Sequence, residues 1–169
     1  MKKCISVFLL LVFLLSAVQA SSFADEPRNA STSWLMKELD SRGIAYTVSQ
    51  AEGSSKTDLL VFSVSGKTIP QIVFTCHVGS GIIKCTVEDF AHVSADNRVS
   101  CLIDLNSMNL NFDTTRFYTT EASDGDYLVS ASYTAVIDDE ASALAALDLI
   151  LMFMRGNVES AYVNLSDLM

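Results

Sequence analysis

The spacing of apolar positions changes several times along this chain, and each change marks an element. Trp34, Leu35, Met36 and Leu39 recur at helical spacing, Ser31 stands where an N-cap belongs, and Gly43 fits a C-terminal stop. The period then drops to two. Ile44, Tyr46 and Val48 alternate with Ala45, Thr47 and Ser49, which predicts a half-buried strand. After the turn cluster Glu52-Gly53-Ser54-Ser55, two further strands are predicted over Leu59 to Val64 and Ile72 to Val78, linked through Gly66 and Pro70. With Ser80-Gly81 as a two-residue loop, Gly79 faces Ile82, Val78 faces Ile83, His77 faces Lys84, Cys76 faces Cys85 and Phe74 faces Val87. One hairpin face then carries Phe74, Cys76, Val78, Ile83, Cys85 and Val87, and the other carries Thr75, His77, Lys84 and Thr86. A slip of one residue would destroy that division, so the pattern itself selects the register.

Helical spacing returns after Ser94, a candidate N-cap with Asp96 in the first turn. Val99, Leu102, Ile103, Asn106 and Leu110 share one face, which is expected to meet the core. Strands follow over Arg116 to Thr120 and Tyr127 to Val136, with Ser123-Asp124-Gly125-Asp126 as the turn. A last helix, capped by Asp138 or Asp139, covers Ala141 to Met154 and is bent or ended at Gly156. Leu144, Leu147, Leu151, Met154 and Val158 form one stripe, and Leu149, Ile150 and Phe153 fall largely outside it. A helix apolar on nearly all sides needs cover on more than one side. Fourteen residues are too few to span a bilayer. The second cover is either the first helix or an identical subunit, and Leu149, Ile150 and Phe153 are the candidate interface of a homodimer.

Composition changes the picture mainly at the N-terminus. Lys2 and Lys3 precede an apolar run from Ile5 to Leu15, and small residues follow at Val18-Gln19-Ala20 and Ser22-Phe23-Ala24. This is the pattern of a cleaved secretory signal peptide, residues 1–20 or as far as 24, which predicts a bacterial protein sent to the periplasm or secreted. A loose leader over 21–30 and a single domain over 31–169 are expected after it. Removing Lys2 and Lys3 leaves nine basic residues against 20 acidic ones, a formal charge of −11. Such a surface repels nucleic acid and anionic lipid, so neither is an expected partner, and no stable membrane insertion is expected once the signal is removed.

Little else in the chain looks chemical. Cys76 and Cys85 sit opposite each other at a non-hydrogen-bonded hairpin position, where Cα atoms lie about 4.5 Å apart, within disulfide range. Export favours a bridge. A pair of buried free thiols is the alternative, and Cys101 offers a competing partner. Neighbouring Cys76 and His77 point to opposite faces of a strand, and His92 has no ligand spacing with Cys85 and Cys101, so no metal is expected. Asn106 and Asn109 are either ligand-binding amides or partners for backbone at the helix exit. Gly79-Ser80-Gly81 lacks the strand-to-helix context of a nucleophile elbow, and there is no phosphate loop or dinucleotide fingerprint, so neither catalysis nor a cofactor is expected.

The helix closing in Asn106-Ser107-Met108-Asn109, the run Arg116-Phe117-Tyr118 and the Asp-Gly hairpin before a last helix together resemble the YbjN family over about residues 31–165. That family is similar in fold to type III secretion chaperones. The resemblance implies an α+β domain with an antiparallel sheet of about five to six strands flanked by three helices, in the order α-β(3-4)-α-β-β-α. It also implies a small binding protein without a catalytic centre. The signal peptide and the cysteine pair depart from chaperones that work reduced in the cytoplasm. Two functions follow as expectations: a chaperone-like or regulatory module that binds a protein client or an identical subunit through an apolar surface, and a sensor holding a small ligand between sheet and helix.

Overall fold

Asn29, two residues before Ser31, caps the first helix. The computed structural model describes residues 26–169, so the expected signal peptide and most of the leader lie outside the described residues. Helix α1 spans Ala30–Ser41. The Asn29 Oδ1 accepts from the Thr32 amide at 2.9 Å, while its Nδ2 donates to Asp58 Oδ2 and to the Val78 carbonyl. One side chain thereby caps the helix and pins it to two strands, a double role that a serine hydroxyl at position 31 cannot reach. The chain is tied down here and is not loose up to residue 30: the Arg28 amide also donates to the buried Asp58 carboxylate. At the other end, Gly43 adopts φ 66 while its amide reaches Asp40 and that of Ile44 reaches Leu39, a Schellman stop that needs glycine's left-handed freedom.

Six strands follow: β1 Tyr46–Gln50, β2 Asp58–Val64, β3 Ile72–Gly79, β4 Ile82–Val93, β5 Arg116–Glu121 and β6 Tyr127–Val136. They form one antiparallel sheet in the order β1-β2-β3-β4-β6-β5. The β3–β4 register runs as predicted from Gly79–Ile82 through Cys76–Cys85 to Thr75–Thr86, where the ladder ends. The expected Phe74–Val87 pair lies one step past the end of that ladder, and on its other side Phe74 pairs with Phe62 on β2, with the rings stacked at 5.2 Å. Alternation buries Leu60, Phe74, Cys76, Ile83, Cys85, Val129 and Ala131 on one face. His77 and Lys84 point out from the other.

A 3-10 turn at Ala95–Asn97 leads into helix α2, Arg98–Asn111. Ser94 makes no side-chain cap; Asp126 Oδ1, from the β5–β6 turn, accepts from the Ala95 amide at 2.9 Å in its place. The face of α2 predicted to meet the core faces outward. Cys101, Leu105 and Met108 are the buried residues, continued by Phe112 against Phe117. Their spacings of four, three and four are as helical as those of the outer stripe, so periodicity could not choose between the two faces.

The last helix, α3, is continuous over Glu140–Leu168, 29 residues. Asp139 and Ser142 form a reciprocal capping box at its start. A π-helical turn at Ile150–Met154 absorbs the irregularity expected at Gly156, and the helix runs on through that glycine. By length and composition α3 could cross a membrane. Here, though, Leu147, Ile150, Met154, Val158, Ala161 and Leu165 are all buried in the domain core. Helix α1 covers its first half, joined by Arg42–Asp148 at 2.7 Å, and α2 packs on its second. Ile150 is fully buried and therefore belongs to the core and not to a subunit face; Leu149 is half-buried and Phe153 is 53% exposed.

Candidate functional site

Helix α2 presents an uncovered apolar face. Val99 is 70% exposed, Ile103 63% and Leu110 84%, with Leu102 beside them and Asn106, also exposed, in the same stripe. Folding has not left this helix loose: its inner face is buried and both ends are clasped. Asp126 holds the start. At the exit Asn109 donates from Nδ2 to the Phe117 carbonyl and accepts at Oδ1 from the Phe117 amide, at 2.9 and 2.7 Å. A single amide thus serves an edge strand as a second strand would. The Arg116 guanidinium completes the clasp by donating to the carbonyls of Asn109 and Phe112. Asn109 therefore bonds backbone and closes no ligand pocket, and the two short motifs behind the family resemblance meet in one structural joint. Asp96, Asp104 and Asp113 punctuate the helix and its flanks.

The cysteine pair lies where the register puts it. Cys76 and Cys85 are direct cross-strand partners, fully buried as thiols, with Sγ atoms 2.7 Å apart. Burial pushes the Cys85 thiol well above its ordinary pKa, and the neighbouring Cys76 adds to the effect. Cys101 is buried on the inner face of α2, its thiol also pushed up by burial.

Sequence reasoning missed one group of metal-capable donors. His92 Nε2 lies 3.2 Å from Asp126 Oδ2 and 3.9 Å from Asp124 Oδ2, at the outer end of the sheet. The other carboxylate oxygens are occupied: Asp124 Oδ1 accepts from the Asp126 amide and Asp126 Oδ1 from Ala95. The Asp-Gly-Asp turn was read only as a turn, and its imidazole partner comes from a strand more than thirty residues earlier. A second missed feature is a bulge in β4 between Val87 and Ala91, where Asp89 takes φ 50 and is held by the buried Ser130 hydroxyl. Nearby, burial and the Glu88 charge push the Tyr118 hydroxyl up, against a hydrogen bond from Ser130 that lowers it.

An open groove of about 700 Å³ runs beside α3, lined by Lys67, Thr68, Met152, Arg155, Glu159 and Val163. Its charges brace the β2–β3 loop. Glu159 accepts from the Lys67 and Thr68 amides, and Arg155 donates to the Ser65 carbonyl. Neither Asn106, Tyr127 nor Trp34 lines it. Tyr127 instead lies under the Arg98 guanidinium, 5.3 Å from the ring centre.

Six antiparallel strands with three helices on one face define the class: an α+β domain with a YbjN-like fold. The structure is similar to that of YbjN from E. coli, described as a candidate transcription regulator, with a TM-score of 0.53 at 11% identity, covering 79% of this chain and 92% of that one. An uncharacterized protein from Methanothermobacter thermautotrophicus gives a TM-score of 0.49 at 12% identity, covering 80% of this chain and 94% of the other. No family model matches the sequence. No curated protein matches it. At such identity the likeness is one of fold.

Proposed function

We propose that this is an exported, non-enzymatic protein-binding module whose binding surface is the outer face of α2, and that its client offers a cationic amphipathic helix. The observation that carries this reading is the exposed stripe of Val99, Leu102, Ile103 and Leu110 on a helix otherwise fully anchored. Isolated apolar side chains on a surface need no explanation, but three adjoining ones, Val99, Leu102 and Ile103, with Leu110 beyond Asn106 on the same face of a clasped helix, mark an interaction site. Magnitudes decide the partner's charge. The four side chains are 42–84% exposed, together equivalent to about two and a half fully exposed ones, so burying them supplies about 4–8 kcal/mol at about 1.5–3 each. Association costs about 4–15 kcal/mol, so apolar burial alone barely binds. A chain carrying −11 over residues 21–169 adds attraction for a basic client and repulsion against a second copy of itself. The ligand-sensor reading has less support, because the groove beside α3 is open and two of its charged side chains, Arg155 and Glu159, are engaged with the β2–β3 loop.

The test uses an amphipathic Leu/Lys helical peptide and an equally charged peptide without an apolar face, titrated by calorimetry. The amphipathic peptide should bind at least about tenfold more tightly, and Ile103→Asp should remove that difference while leaving the circular dichroism unchanged, since Ile103 is 63% exposed. Equal binding of both peptides would overturn the reading. So would a sedimenting dimer that Ile103→Asp dissociates, which would make a second copy the occupant.

A further inference from the structure

We propose that Cys76 and Cys85 are joined by a disulfide in the exported protein, and that the bond forms before helix α3 docks on the sheet. The two residues stand in one cross-strand row, between Leu60 on β2 and Tyr133 on β6. This row lies on the buried face, so the sulfurs sit between sheet and helices. Their Sγ atoms already face each other at 2.7 Å, and closing the bond needs no change of register. The proposal rests on export to an oxidising compartment and is independent of the α2 surface.

The chemistry is thiol–disulfide exchange with an oxidant of the disulfide class, either a small-molecule disulfide or a dithiol oxidoreductase. One cysteine thiolate attacks the oxidant's disulfide, forming a mixed disulfide and releasing one of its sulfurs as a thiol. The second cysteine thiolate then attacks the protein sulfur of that mixed disulfide and expels the oxidant's other sulfur. Two electrons and two protons pass from the protein to the oxidant, which leaves as two thiols. The first step requires a protein sulfur open to another molecule and present as thiolate. The folded domain closes off both sulfurs, since both side chains are 0% exposed, and burial raises the Cys85 thiol well above its ordinary pKa besides. Oxidation therefore belongs to a stage before closure.

The order of the chain makes such a stage available. The β3–β4 hairpin is closed by a two-residue turn in which Gly81 takes φ 88, so it can form from local contacts alone. Two helices cover it: α1 packs against β3, and α3, the last element, brings Ile150, Met154 and Val158 inward against β4 and β6, so the cover is complete only when α3 docks. The sulfurs are thus paired early and covered late. Once covered, the bond is shielded from reductants by the same burial.

The full chain, expressed with its N-terminal leader and purified from the oxidising compartment, is labelled with iodoacetamide in denaturant and mapped without reduction. A linked Cys76–Cys85 peptide with Cys101 as the one labelled thiol is expected. Three labelled thiols, or a peptide linked through Cys101, would overturn the bridge. For the order of events, reduced protein is exposed to glutathione disulfide either folded or in urea. The folded sample should form the Cys76–Cys85 bond at least about tenfold more slowly, because it reacts only through opening. Equal rates would overturn formation before docking.

Discussion

Asn106 and Asn109 are the same residue type three positions apart, and the fold gives them opposite fates. Asn109 satisfies both the amide and the carbonyl of Phe117, whereas Asn106 faces solvent within the apolar stripe. Replacing Asn109 with Ala strands two backbone groups and should cost about 1–3 kcal/mol in urea unfolding. Asn106→Ala should change stability by less than about 0.5 kcal/mol, and equal losses would refute the clasp. Helix-exit bonding was legible as one of two readings, because Asn competes well for backbone near a helix end. Asp58 was not legible: its partners Arg28 and Asn29 lie about thirty residues away, and nothing local marks a buried carboxylate. The cysteines give a pH-dependent prediction at the same scale. Burial raises the Cys85 thiol, so the reduced folded state holds a proton that the unfolded state releases. The resulting stability is fully present below the unfolded thiol value, about 8.5, and is lost as pH climbs towards the folded value. Reduced protein should therefore lose denaturation midpoint between about pH 7.5 and 9.5 more steeply than oxidised protein, in which Cys101 is the one thiol left to titrate. Parallel slopes would contradict the burial argument.

Elements were legible where one pattern had one solution. The β3–β4 register followed from alternation and a two-residue turn, because only one pairing keeps both faces uniform. Helix α2 was found but turned the wrong way, since it carries two apolar stripes and the inner one was settled by Phe112 and Phe117 from the next strand. Helix α3 was made too short, because Gly156 was given more breaking power than a packed helix allows. Its inner cover comes from α1 and α2 within the chain, which takes Ile150 out of the expected subunit face and leaves Leu149 half-buried and Phe153 exposed beside Met152. Ile150→Asp should bury an unpaired charge and unfold the domain. Phe153→Asp, at an exposed site, should leave circular dichroism and solution mass unchanged. A Phe153→Asp protein that dissociates from a wild-type dimer would restore the subunit face.

Across the whole molecule, fold and surface separate cleanly. The YbjN-like architecture follows from sheet order and helix placement and survives at 11% identity, so it says little about any partner. The partner must be read from what the described residues leave exposed: an acidic surface, the apolar outer face of the anchored helix α2, and a smaller apolar group on α3 at Met152, Phe153 and Val163. Charge was fully legible in the sequence; the site was legible only as residues, since its four apolar side chains were expected to face the core. The most direct measurement of the account is a titration of the isotopically labelled protein with the cationic amphipathic peptide, followed residue by residue in amide NMR spectra. Shifts concentrated over residues 98–111, with His77 and Lys84 on the opposite sheet face unmoved, are the predicted result. Shifts centred on Met152, Arg155 and Val163 beside α3, or none at all, would contradict it.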